Sequence, residues 1–187
     1  MTRWLLLLFL GVLVGAIVHL ITIMILPWTA TQDAYLRLSP IAPFNTVVPM
    51  PAPTPDGALM PFMDPAFAGA VCRYDLSRGP VKFSVPVSQA YTSVSFYTRN
   101  DIAFYAINDR AAGRRNIELD LMTTTQRADL PEEEDVTAAD QLIVESPTTT
   151  GLIVIRALAP EPGLMPVARS TIAAAQCRLK SEPSAAR

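Results

Sequence analysis

Tyr91-Thr92-Ser93-Val94-Ser95-Phe96-Tyr97-Thr98 sets Val94 and Phe96 alternately against Ser93 and Ser95. Successive side chains of a strand point to opposite faces, so this stretch reads as a strand with one apolar and one wet face. Asn116-Ile117-Glu118-Leu119-Asp120-Leu121 repeats the pattern, with three aliphatic residues set against three polar ones. Leu152-Ile153-Val154-Ile155 does not alternate at all, which suits a central strand buried on both faces. Working outward from these three, strands are predicted over residues 70–75, 81–85, 91–98, 102–108, 116–122, 141–145 and 152–158. Turn chemistry separates them: Arg78-Gly79-Pro80, Asn100-Asp101, and the segment from Asn108 to Gly113. About seven short strands at this spacing predict a mainly β chain, an antiparallel β-sandwich. One helix is predicted over residues 166–179, with Pro166 in its first turn and Ile172, Ala175, Gln176 and Leu179 on one stripe.

Ahead of this domain, residues 4–26 contain no Asp, Glu, Lys or Arg, and sixteen of them are Leu, Ile, Val or Phe. Such a run is long enough for a hydrocarbon core of about 30 Å. Its insertion is favoured by roughly 5–10 kcal/mol, an upper figure because residues near the ends count for less. Trp4 and Trp28 bracket the run as interfacial rings, and Pro27 lies where a helix can end. A cleaved signal peptide would have a shorter apolar region followed by small residues, and Pro27-Trp28-Thr29-Ala30-Thr31-Gln32 is a poor cleavage site. The reading is therefore a retained single transmembrane helix. Arg3 and the amino terminus precede the span, whereas Asp33 and Arg37 nearly cancel after it. The positive-inside rule then leaves the N-terminus in the cytoplasm and the domain outside.

The chain divides on this reading into an anchor (residues 1–28), a juxtamembrane helix with a Pro-rich stalk (29–65), a β-sandwich with its C-terminal helix (66–180) and a disordered tail (181–187). Ala34, Tyr35 and Leu38 have helical spacing. Pro49, Pro51, Pro53 and Pro55 at alternate positions favour an extended, semi-rigid spacer. A net charge of −2 offers no basic surface to nucleic acid.

The chemistry-bearing residues are few. His19 is the sole histidine and lies in the span, which removes histidine-based acid–base or nucleophilic chemistry from the domain. Gly11, Gly15, His19 and Thr22 fall on one helix face, where small residues let a second helix approach and His or Thr can bond across. That face is the expected helix-association surface, for a membrane-protein partner or a second copy. Cys72 and Cys177 are too far apart in sequence for a CxxC motif. In the cytosol they would be two small buried thiols; outside the membrane a disulfide is expected, tying the first strand to the last helix. The acidic run Glu132-Glu133-Glu134-Asp135, with Asp129 and Asp140, lacks the alternating oxygens and turn glycine of a calcium loop and reads as solvated. Arg110, Arg114 and Arg115 form a small basic turn. No phosphate loop, dinucleotide fingerprint or nucleophile elbow is present, so no cofactor, metal or catalytic residue is assigned.

Tyr74-Asp75-Leu76-Ser77-Arg78-Gly79-Pro80-Val81, the stretch from Tyr91 to Asn100, and Ile107-Asn108-Asp109-Arg110 resemble a bacterial family, the domain of unknown function 1254, in its short membrane-anchored form. The likeness is best over residues 40–110. It implies an immunoglobulin-like sandwich, and a sister-domain membrane protein, carrying the domain of unknown function 1214, as a partner. It also implies a bacterial inner membrane, with the domain in the periplasm. It carries over no catalytic residue. The leading expectation is an interaction module. Two others stand beside it: an envelope enzyme using Asp75, Asn100, Asn108 and Asp109 at strand ends, and a plain spacer.

Overall fold

The computed structural model describes residues 2–29, 33–54, 57–61, 63–113, 115–130 and 142–180. The acidic run from Glu132 to Asp135, Asp140, Arg114 and the tail after Lys180 lie outside them. Two compact units divide the chain, Met1–Asp33 and Ala34–Arg187.

The first unit is helix α1, Thr2–Thr29. Nothing in its sequence breaks the helix before Pro27, and the helix runs two residues past that proline. Thr29 Oγ1 donates to the Ile25 carbonyl at 3.3 Å, one turn back in its own helix. The leucines, isoleucines and valines of α1 are exposed over its length. The helix is long and apolar enough to cross a membrane, as a membrane anchor or a signal sequence would be.

The second unit is mainly β. Its elements are α2 (Ala34–Leu38), β1 (Val47–Pro49), β2 (Phe67–Asp75), β3 (Val81–Pro86), β4 (Thr92–Thr98), β5 (Ala103–Asn108), α3 (Asp109–Ala112), β6 (Asn116–Thr123), α4 (Thr124–Ala128), β7 (Leu142–Ser146), β8 (Thr150–Leu158), α5 (Met165–Ala173) and β9 (Gln176–Leu179). The strands form two sheets, in the orders β1-β2-β8-β4-β5 and β7-β6-β3-β9. The main core lies between them: Tyr74, Val94, Phe96, Ile153 and Ile155 from one sheet meet Phe83, Val85, Ile117 and Leu119 from the other. Phe83 and Phe96 cross the interface edge to face, their centroids 6.1 Å apart. Each fully buried side chain of this size adds about 1.5–3 kcal/mol. The seven strands expected from alternation are all present with bounds shifted by three residues at most. The non-alternating β8 sits between β2 and β4 and buries residues on both faces.

Three features differ from the sequence reading. First, β6 and β7 pair in parallel, from Leu119 opposite Leu142 to Thr123 opposite Ser146, so the second sheet is mixed rather than antiparallel. Alternation gives no sign of strand direction, so the sequence pattern could not distinguish this pairing from an antiparallel one. Second, the helix predicted to reach Leu179 ends at Ala173, and Gln176–Leu179 is the edge strand β9 beside β3. Cys177 is buried and Gln176 and Arg178 are exposed, a period of two hidden within spacings that also fit a helix. Third, the stalk expectation fails for its first half. Val47–Pro49 pairs with β2, and Tyr35, Leu38 and Ala42 bury themselves on Val71 and Leu152 of the outer sheet face. Prolines are tolerated there because β1 is an edge strand. Cys72 and Cys177 are joined by a disulfide linking β2 of one sheet to β9 of the other, Cα atoms 6.5 Å apart.

Candidate functional site

The outer face of the five-stranded sheet gathers the chain's least ordinary side chains. Tyr35 of α2 is buried, and the Arg99 guanidinium lies 4.1 Å from its ring centroid. Arg73 of β2 lies 4.0 Å from the Phe44 centroid and 5.4 Å from that of Tyr35. Two cations thus rest on π faces, an arrangement that holds the guanidinium planes in place. The Arg73 Nε is buried and makes no hydrogen bond. Local turns fix this geometry. Asp101, at φ +59, accepts the Ala34 N–H at 2.8 Å and so pins the start of α2 to the β4–β5 turn. Asn45, at φ +54, clips β1 onto β2: its Nδ2 donates to the Asp75 carbonyl at 3.1 Å, and its Oδ1 accepts the Asp75 N–H at 2.9 Å. Both residue types are among those that tolerate the left-handed region.

Beside this cluster a cleft of about 410 Å³ opens over the same sheet face, lined by Leu38, Met50, Met60 and Leu152 with Asp64 and Arg156 among its polar members. A second cleft, about 830 Å³, lies where the prolines meet α5, between Pro49, Pro51, Pro65 and Phe67 on one side and Met165 and Arg169 on the other.

A buried hydroxyl network ties the two sheets. The Tyr74 hydroxyl is 2.9 Å from Ser146 Oγ and 3.4 Å from Thr148 Oγ1, and it donates to the Tyr97 carbonyl at 3.2 Å. Burial pushes the Tyr74 phenol above its usual range, so the group stays a neutral donor. Opposite, Lys180 Nζ meets the buried Asp120 carboxylate at 3.0 Å.

Two of the strand-end residues weighed for catalysis, Asp75 and Asn108, perform local tasks, whereas Asp109 keeps one buried carboxylate oxygen, Oδ1, without a hydrogen bond among the described residues. Asp75 accepts the Ser77 N–H at 2.8 Å, a bond that holds its carboxyl below the usual range. Asn108 caps α3 by accepting the Ala111 N–H at 2.9 Å. No group of three His, Cys, Asp or Glu converges among the described residues. On α1, a Cβ added at Gly11 or Gly15 would meet open space, and the Thr22 hydroxyl donates to the Val18 carbonyl at 2.9 Å within its own helix. Tyr35, Arg73 and Arg99 were not singled out by sequence, since their convergence depends on residues 34–45 folding back. The only local signal was the helical spacing of Tyr35 and Leu38.

The fold and this site define a mainly β domain of two sheets preceded by an apolar helix. Residues 44–179 match the model of a family described as "Protein of unknown function (DUF1254)", and the chain belongs to that family. Among solved structures the chain is similar to the VPA0106 protein from Vibrio parahaemolyticus, at 15% identity and a TM-score of 0.59, covering 82% of this chain and 37% of that one. It is also similar to an uncharacterised protein from Burkholderia cenocepacia, at 12% identity and a TM-score of 0.46, covering 84% of this chain and 47% of that one. The chain thus spans less than half the length of either structure. No protein of curated function matches it by sequence.

Proposed function

We propose that the chain is a membrane-tethered interaction module of the bacterial inner membrane, with α1 as its signal-anchor and the domain in the periplasm. On this reading its partner is a separate membrane protein supplying a sister domain. What supports it is a helix long and apolar enough to cross a membrane ahead of a domain that matches this family over residues 44–179. Arg3 before the span supports the orientation. An immunoglobulin-like class is supported by β3 lying beside β6 and β4 beside β8, the neighbour pairs of such a sandwich. The outer strands are exchanged relative to it, since β2 flanks β8 and the last strand, β9, flanks β3.

Full-length protein extracted in mild detergent and captured through a tag is expected to bring down one stoichiometric membrane protein. A monomer recovered alone under those conditions would sink this reading. Within the membrane, Gly11, Gly15, His19 and Thr22 form the face proposed to meet another helix. A reporter of membrane-helix self-association should lose most of its signal on Gly15→Ile if a second copy is the partner there. Equal signals would remove this part of the proposal.

A further inference from the structure

Strand β8 is the centre of the five-stranded sheet, with Ile153 and Ile155 turned into the main core. Leu152, Val154 and Arg156 therefore share its outer face, two apolar side chains and then a cation along a floor of about 13 Å. A charge on an inner strand is stabilised by an opposite charge on a neighbouring one. Arg156 stands opposite Gly69 of β2 and Ser93 of β4 instead, and it is exposed. Among the described residues it has no ion-pair partner. The cleft of about 410 Å³ above this floor is also lined by Asp64. Asp64 Oδ1 accepts the Ala66 N–H at 2.8 Å, and its carboxylate pairs with no cation among the described residues. The Asp64 carbonyl accepts the Phe67 N–H, and Phe67 lies opposite Leu158, two residues beyond Arg156. Opposite charges thus stand at one end of the cleft, and neither neutralises the other. The remaining charged lining residue, Asp101, is at the far end: it follows Thr98, which lies opposite Gly151, and it accepts the Ala34 N–H. Met50, Met60 and Met63 bring three thioethers to the cleft wall. A Cβ at Gly69 would come within 2.7 Å of the Met50 methyl, so the glycine is what lets Met50 lie across β2. Thioethers are adaptable and polarisable, and they pack favourably on aromatic rings.

We propose that this cleft binds an aromatic α-amino acid. The ligand carboxylate accepts from the Arg156 guanidinium, its ammonium donates to Asp64, and its ring lies over Val154 and Leu152 against the methionines. The volume is that of a small-molecule site, and an apolar lining with a few polar groups at one end fixes the orientation of what enters. The two uncompensated charges select a zwitterion: a simple anion would face Asp64, and a simple amine would face Arg156. The inference goes beyond the interaction-module reading and does not depend on it.

The test is calorimetric titration of the full-length protein in nanodiscs, where no free detergent competes for an apolar cleft. The probes are L-phenylalanine, N-acetyl-L-phenylalanine and L-phenylalaninamide. L-phenylalanine should bind, and each derivative about tenfold more weakly, the cost of one hydrogen bond to a charged group. Arg156→Gln should weaken L-phenylalanine about tenfold and erase its advantage over the amide, while its advantage over the acetyl derivative remains. Asp64→Asn, which still accepts from the Ala66 N–H, should do the reverse. Both side chains are exposed, so neither substitution should move the thermal midpoint. Absence of L-phenylalanine binding overturns the proposal, as does binding that neither variant weakens. L-leucine bound as tightly as L-phenylalanine overturns the aromatic part. Decanoate bound more tightly than L-phenylalanine, and unaffected by Asp64→Asn, would give the cleft to a fatty anion instead.

Discussion

Gly151→Ala is expected to destabilise the domain by about 3–5 kcal/mol, although adding a methyl group to a strand glycine ordinarily helps. The sign follows from crowding. Gly151 lies in β8 opposite Tyr74 of β2 on one side and Thr98 of β4 on the other. A Cβ built there would overlap the Tyr97 carbonyl and the hydroxyl end of the Tyr74 ring. Neither can yield cheaply: the carbonyl is backbone of a paired strand, and the phenol is held by Ser146 and by the Tyr97 carbonyl itself. The substitution therefore strikes two terms at once, the packing of the central strand and the hydrogen bonds of a buried hydroxyl. For a domain of this size a loss of that order lowers the thermal midpoint by roughly 10 °C or more. Differential scanning fluorimetry of the detergent-solubilised protein measures it. A midpoint equal to or above that of the unchanged protein would show that Tyr74 does not occupy this position.

The same residue marks where sequence reading succeeds and where it stops. A lone glycine at the head of Leu152-Ile153-Val154-Ile155 is a recognised sign of close backbone approach, but nothing local says that Tyr74 is what approaches. Alternation found β4 and β6 because each has one face in the core, so the solvent boundary writes a period of two into the chain. It found β8 for the opposite reason, since both faces are covered. It could not find β9, where four residues are too few to separate a period of two from 3.6 and where Ile172 and Ala175 continued a plausible helical stripe. The parallel pairing of β6 with β7 was equally out of reach, because alternation is blind to strand direction. The candidate site was the least legible part. Arg73 sits in an ordinary strand pattern, and Tyr35 and Phe44 sit in a stretch whose prolines argue for a spacer. Their meeting is decided by Asn45 and Asp101, two turn residues whose partners lie 30 and 67 positions away.

The remaining large effect belongs to the disulfide. Strand β9 is the last described element and pairs only with β3, from Ser84 opposite Gln176 to Val81 opposite Leu179. Four residue pairs at a sheet edge are a weak hold on a strand. The Cys72–Cys177 bond adds a covalent one, from a strand in the other sheet and across a sequence separation of 105 residues. Closing a loop of that length restricts the unfolded chain by about 4–5 kcal/mol in the chain-entropy model. Cys72→Ala/Cys177→Ala should therefore lower the thermal midpoint by roughly 10 °C, with β9 and α5 the first elements to lose exchange protection. Small core cavities left by the two alanines would lower it as well, so the deciding comparison is with reductant. A strong reductant should bring the unchanged protein down to near the midpoint of the double variant and leave the variant where it is. Cys72 is fully buried and Cys177 nearly so, which makes reduction slow until β9 opens, and the shift should grow with incubation near the transition. Thiol trapping during isolation supplies the independent reading. Two labelled cysteines, together with a midpoint indifferent to reductant, would remove the bond. They would also remove its support for an oxidising compartment, and with it the strongest physical reason to place the domain outside the cytoplasm.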